Sequence, residues 1–362
     1  MKRRLIAVFA ALCLFSLSSC SPSGPSDYIH VLAMGVDTGE NGDYVFSFLA
    51  PGENDESENN KNMLIRISAP SFERAKALAG IYTHREINVS HMYLALFSLD
   101  AAERGLKPVV SQLFYEPGLR AFVRTGITRC SAYEYLVSID KKASFGLADH
   151  LEKLSSDPDV SPIPSAVLGD MYKSLKNAHC ASVLPLYCAY EPYSDTPKPG
   201  LVIIKDLKAL ALCGESDAFF YKALTGSLPA SYINIEDPDL NKEYAFSLKM
   251  RRPPTIRVNT SWDAPKIDIK LSFDCRLIMP YDAYEDEKRS VLSLEKERLK
   301  RDISDFLYRC AKEYNADIFG FHERAALNFL TLDALEEYGF YKRYPDSRFN
   351  VTVTLTPDAP QI

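Results

Sequence analysis

Tyr28-Ile29-His30-Val31-Leu32-Ala33-Met34-Gly35-Val36, then Asp37-Thr38-Gly39-Glu40-Asn41-Gly42, then Tyr44 to Leu49, is the stretch that decides the fold. Two β-prone apolar segments flank a polar turn that carries Asn-Gly. Both central residues of a tight hairpin need positive φ, and Asn-Gly supplies them at low cost. The chain therefore opens with an antiparallel pair.

From that hairpin outward, β-prone and amphipathic segments alternate. Leu64 to Ser68 reads as a third strand, and Ser71 is suited to cap a helix through Ala75, Leu78, Ala79 and Tyr82. Ile87 to Phe97 is a β-rich run. Leu99 to Arg104 and Pro108 to Tyr115 read as short helices, Ala121 to Thr128 as a strand and Ser131 to Ser138 as a helix. Three prolines between Pro192 and Pro199 mark a linker. Beyond it come a hairpin across Lys205-Asp206-Leu207, a helix at Ser216 to Leu224 and a strand near Ser231 to Ile235. After Arg251-Arg252-Pro253-Pro254 come strands at Thr255 to Asn259 and Lys266 to Leu277. In the second of these, Ile267, Ile269, Leu271 and Phe273 share one face, the period of a half-buried strand. Leu292 to Tyr314 predicts the longest helix, with Leu299, Ile303, Phe306, Leu307 and Cys310 inward and Glu295, Lys296, Glu297, Lys300 and Arg301 solvated. Arg348 to Thr356 closes the pattern as an alternating strand. The expected architecture is a mixed α/β (α+β) fold of consecutive small domains, each a mostly antiparallel sheet with packed helices. Its parts are an N-terminal domain at 27–191, a middle domain at 200–250 and a C-terminal domain with the long helix at 251–362.

The N-terminus reads differently. Lys2, Arg3 and Arg4 precede an apolar run, Leu5 to Phe15, that is too short to span a bilayer, and Leu17-Ser18-Ser19-Cys20 follows. A Leu, two small residues and Cys have the form of a bacterial lipobox. Residues 1–19 are thus expected to be a signal peptide, Cys20 the lipidation site and 20–26 a flexible lipidated tether. Acyl chains bury about 0.8 kcal/mol per methylene, so lipid on Cys20 would hold the protein on the outer face of a bilayer. Cleavage there would leave 343 of the 362 residues and move the net charge from −6 to −9. An acidic chain is a poor partner for nucleic acid or for anionic lipid headgroups. Of the six cysteines beyond the lipobox, Cys180 and Cys188 are the pair best spaced for a disulfide. None of the six forms the Cys-x-x-Cys pair of a zinc ribbon.

Little in the chain points to catalysis. His84 and His91 lie seven apart in a β-rich run, so they face opposite sides and do not form a ligand pair. His322-Glu323 begins like a zinc-peptidase helix, but Ala326 stands where the second His is required. There is no nucleophile elbow, phosphate loop or dinucleotide fingerprint. No catalytic residue, metal ligand or cofactor is assigned, and a ligand-binding residue cannot be named.

The order of short motifs resembles the C-subunit lipoproteins of spore germinant receptors, the Ger(x)C family, over nearly the whole mature chain. Gly35-Val36-Asp37 resembles the family's opening strand. Ile67-Ser68-Ala69 with Ala75-Lys76-Ala77-Leu78 resembles its strand into a helix. Asn88-Val89-Ser90-His91, Leu94 to Phe97 and Gly105-Leu106 follow in the family's order, as do Asp317-Ile318-Phe319-Gly320 and Val351-Thr352-Val353-Thr354. Where the family commonly has Arg-Asp-x-Glu-x-Arg, Tyr115-Glu116-Pro117-Gly118-Leu119-Arg120 keeps an acid and the last Arg. The resemblance implies three α/β domains in a row. It also implies a non-enzymatic lipoprotein at the spore inner membrane, working beside integral membrane A- and B-type receptor subunits in nutrient-triggered germination. Read on their own, Asp317 is suited to cap a turn and His91 to sit in the core. The alternative is a solute-binding lipoprotein of a membrane transporter, which would need two doubly wound lobes around a cleft.

Overall fold

The computed structural model describes residues 27–52, 62–142, 164–176, 181–187, 200–228, 230–237, 242–280 and 284–357. The leader, Cys20 and its tether lie outside the described residues, as do Cys180 and Cys188.

The opening hairpin forms as expected. Strands β1 (Tyr28–His30) and β2 (Ala33–Thr38) come first, and β2 pairs antiparallel with β3 (Tyr44–Ala50), placing Gly35 opposite Ser47. Asn41 and Gly42 take φ of 53° and 93°, the left-handed turn that Asn-Gly favours. The following elements are β4 (Met63–Ala69), α1 (Phe72–Thr83), β5 (Glu86–Asn88), β6 (Leu94–Ser98), α2 (Leu99–Arg104), α3 (Lys107–Tyr115), β7 (Arg124–Thr128), α4 (Ala132–Lys142), α5 (Leu168–Lys176), β8 (Ala181–Tyr187), β9 (Gly200–Lys205), β10 (Lys208–Cys213) and α6 (Glu215–Thr225). Ser71 caps α1 as expected, its hydroxyl accepting from the Arg74 N–H at 3.1 Å. The run at Ile87 to Phe97 splits into two strands, β5 and β6. β5 leaves the main sheet to pair in parallel with β1.

The first sheet has eight strands in the order β10-β9-β8-β7-β6-β2-β3-β4. Its centre, from β8 to β2, is parallel and its two ends are antiparallel. Helices α1, α2, α3 and α5 cover one face, with Phe72, Ala75, Val109 and Met171 buried against Phe46, Phe48 and Ala95. Helix α4 covers the other face at β2, β3 and β6.

The remaining elements are β11 (Ser231–Asp237), β12 (Lys242–Met250), β13 (Thr255–Asn259), β14 (Lys266–Met279), α7 (Glu285–Tyr308), α8 (Phe321–Ala326), α9 (Leu332–Tyr338), α10 (Phe340–Arg343) and β15 (Arg348–Pro357). Along one edge of β14 lie β12 and β13 in succession, and β15 runs parallel along the other. β12 and β13 amount to one long strand interrupted at Arg251-Arg252-Pro253-Pro254, where two prolines have no N–H to give the ladder. Ile267, Ile269, Leu271 and Phe273 are buried against Leu299, Ile303, Phe306 and Leu307 of α7, as the alternation predicts.

Two expectations need correction. The 200–250 stretch is not a middle domain of its own. Strands β9 and β10 complete the first sheet, while β11 and β12 belong to the second, which leaves two large sheets rather than three domains in a row. The reason lies in β9: Val202 and Ile204 enter the core of the first sheet, while Leu201 and Ile203 enter the core beneath α7. Because its two faces enter two different cores, β9 ties this stretch to both halves of the molecule. The long helix also starts earlier than expected, at Glu285, and ends in a π-turn at Arg309–Glu313.

Truncating either face of β9 is expected to be costly. Ile203→Ala and Ile204→Ala should each lose about 2–5 kcal/mol in denaturant unfolding. A neutral result for one of the two would mean that face is open to water.

Candidate functional site

Two aspartates in the family-like motifs turn out to be helix caps. Asp37 lies within β2 rather than in the hairpin turn, and it is buried. Its carboxylate accepts the Ala132 N–H at 2.7 Å and the Tyr133 N–H at 3.1 Å, closing the first turn of α4 from 95 residues away. Gly35 is next to it for a steric reason: a Cβ there would stand 3.0 Å from Ala132 Cβ, so only glycine lets α4 sit this close to β2. Asp317 plays the same part locally, as its sequence setting suggests. Its carboxylate accepts N–H groups from Phe319 at 3.2 Å, Phe321 at 3.0 Å and His322 at 2.7 Å, and so caps α8. Burial pushes the Asp317 carboxyl above the ordinary range, and these three N–H groups oppose the shift.

The structure brings His91 together with the Glu116–Arg120 loop. Gly118 lies against Ser90, and the His30 and His91 rings meet edge to face at 5.2 Å. β1 pairs with β5 immediately before this turn, so β1, His91 and the Arg120 loop lie close together in the first half. His91 is exposed, contrary to the expectation that it sits in the core, and Arg120 is exposed too. Glu116 is half-buried and paired with Lys76, which fixes the loop to α1. Burial raises the Glu116 carboxyl pKa and Lys76 pulls it back. His322, the residue that began like a zinc ligand, stacks on Tyr341 at 4.6 Å. Among the described residues no group of three or more His, Cys, Asp or Glu side chains is placed to hold a metal ion. Cys213, Cys275 and Cys310 are buried, and burial raises the Cys213 thiol to about 12, far from a reactive thiolate.

Sequence reasoning missed a cleft in the second half. About 800 Å³ opens between the start of α6, the start of β11 and the flank of α7. Asp217 and Arg309 pair across it at 2.5 Å. Glu295, expected to be solvated, is only 4% exposed, and its Oε2 has no hydrogen-bond partner. Arg298 stands 3.6 Å from that oxygen and 3.6 Å from Asp302. Burial raises the Glu295 carboxyl pKa; Arg298 opposes the shift and Asp302 adds to it. The signal was present in the sequence, because 295 lies three after Leu292 and four before Leu299, on the apolar stripe itself.

Known families and structures can now be set beside this geometry. Residues 26–187 match the family model described as the spore germination protein N-terminal domain, and residues 199–356 match the spore germination B3/GerAC-like C-terminal model. The chain belongs to the GerAC-like, or Ger(x)C, family of spore germination proteins. Among solved structures it is similar to the crystal structure of the GerBC protein, at 9% identity and a TM-score of 0.58, over 90% of this chain and 97% of that one. That likeness shows the fold, and it agrees with the mixed, mostly antiparallel sheets with packed helices expected from the sequence. No curated protein matches. Among the described residues, no helix is long and apolar enough to cross a membrane.

Removing the Asp317 carboxylate in Asp317→Ala should cost about 1–3 kcal/mol, measured by thermal or urea unfolding. Glu295 makes the opposite prediction. Its folded-state pKa is raised, so the fold favours the protonated form, and its cost to stability sets in as pH rises through the ordinary carboxylate range. Glu295→Gln should therefore be more stable than the parent near pH 7, with the difference vanishing below about pH 4. Equal melting temperatures at both pH values would show that Glu295 is not held in a desolvated state.

Proposed function

We propose that this protein is a germinant-receptor C subunit. In this reading it is held by lipid on Cys20 to the outer face of the spore inner membrane and docks, without catalysing a reaction, on integral membrane A- and B-type subunits. The observation that carries the reading is the pair of family models matched in order along the chain, N-terminal then C-terminal. The lipobox supports the anchoring, since the basic residues, the short apolar run and Leu17-Ser18-Ser19-Cys20 stand in the required order.

An exposed apolar surface supports docking. Trp262 (65% exposed) lies in the loop between β13 and β14, Leu327 and Leu330 (104%) lie between α8 and α9, and Leu332 opens α9. The two loops are tied together: the Asn328 side-chain amide donates to the Val258 carbonyl at 2.9 Å, and Tyr338 Oη donates to the Trp262 carbonyl at 3.5 Å. An indole and three leucines held in the open are the kind of residues that anchor protein interfaces.

Crosslinking and affinity recovery of the tagged protein from spore membranes would test this reading. Two multi-span membrane subunits should be recovered with it. Leu330→Asp should lower that recovery while changing stability by less than about 0.5 kcal/mol. Cys20→Ala should release a folded protein from the membrane fraction and abolish germination. Recovery of a transporter permease and its ATPase with a bound solute would replace this reading with the solute-binding one.

A further inference from the structure

We propose that the cleft between α6, β11 and α7 binds a small organic cation, a primary ammonium with an apolar tail, whose N–H groups hydrogen-bond to Glu295. The proposal does not depend on the receptor role.

Charge and burial together set the ligand class. Five carboxylates line the cleft, those of Glu215, Asp217, Glu295, Asp302 and Asp305, against the two guanidiniums of Arg298 and Arg309, with Arg301 pairing Asp302 at 3.4 Å from outside the lining. Arg309 is committed to Asp217 at 2.5 Å. Arg298 is divided between Glu295 and Asp302, at 3.6 Å from each, and is within hydrogen-bond distance of neither. The cleft therefore carries uncompensated negative charge. Its most deeply buried acid, Glu295, lacks the donor that a buried carboxylate requires. An ammonium group supplies both the charge and the donor. Phe219, Phe220 and Tyr232 on the opposite wall provide the apolar and aromatic surface for a hydrocarbon tail, and their rings attract cations. A metal ion does not fit this reading, since no three of these acids are placed to share one.

Arg298 is the internal competitor. It approaches the same Glu295 oxygen that the ligand would take, and Asp302 offers it an alternative partner. Ligand entry moves the guanidinium fully onto Asp302. The two residues therefore give opposite mutational signatures: Glu295→Gln weakens binding and Arg298→Gln tightens it.

The test is equilibrium dialysis of radiolabelled n-butylammonium against the full-length protein in detergent. Butyrate serves as the anionic control, and Glu297→Gln as a control on the exposed side of α7. Saturable binding of n-butylammonium at one site is expected, weakened about 10- to 100-fold by Glu295→Gln, tightened by Arg298→Gln and unchanged by Glu297→Gln. Glu295→Gln is not expected to unfold the chain, so its loss of binding can be read directly, with a melting curve as the check. No saturable binding, equal affinity in Glu295→Gln, weaker binding in Arg298→Gln or equal binding of butyrate would each overturn the proposal.

Discussion

The molecule depends on the six-residue strand β9, with β8 beside it also reaching into both cores. β9 is apolar from Leu201 to Ile204 because both of its faces must be dry. Val202 and Ile204 close the core under α1, α2, α3 and α5, while Leu201 and Ile203 close the core under α6 and α7. An alternating strand would have left one of these cores open to water, so the continuous apolar run is what joins the two halves. Polar contacts follow the same seam: Lys205 Nζ donates to the Asn315 carbonyl at 2.7 Å, just beyond the end of the long helix. Tyr221 of α6 packs on Phe319 in the Asp317 loop. Motion of one half against the other would have to expose apolar surface at roughly 25 cal/mol per Å².

Much of the fold was legible because its signals are local. The Asn-Gly hairpin, the Ser71 cap, the strict alternation of β14 and the apolar stripe of α7 each declare themselves within about ten residues. What was not legible rests on distant partners. Nothing near Asp37 says that it caps a helix 95 residues later, and without that helix an Asp beside Gly39 reads as part of a turn. β12 was passed over because Lys242, Glu243 and Lys249 flank its short inward run of Tyr244, Phe246 and Leu248, whose place in the core depends on pairing with β11 and β14. The middle domain was a misreading of β9 for the same reason, since the second face of a strand is visible only once its neighbour is known.

The candidate sites divide along the same line. Asp317 was readable as a turn cap, and it is one. His91 was read as a core residue, but the chain turns outward between β5 and β6 and carries the ring to the surface. Glu295 was placed among the solvated residues because it is charged, although its spacing puts it on the buried face. Charge outweighed periodicity in that reading, and an acid on an apolar stripe is the more informative of the two signals. These acids also differ in kind. Asp37 and Asp317 are surrounded by backbone N–H groups and serve the fold, whereas Glu295 is buried without a hydrogen-bond donor beside an open cleft.

The parallel pairing of β14 with β15 has a consequence for the order of assembly. The two strands meet across roughly 80 residues of intervening chain, so their ladder can close only after a large loop has been gathered in. The first half closes shorter loops: its hairpins join β2 with β3, β3 with β4 and β9 with β10, and its parallel pairs join residues no more than 61 apart, as Ala33 with Leu94. Folding should therefore run from the N-terminal sheet toward the C-terminal one. Until β15 arrives, one edge of β14 stays unpaired. During that interval the nascent second half is the part of the molecule most exposed to aggregation and to proteases, and the last strand to dock ends its vulnerability.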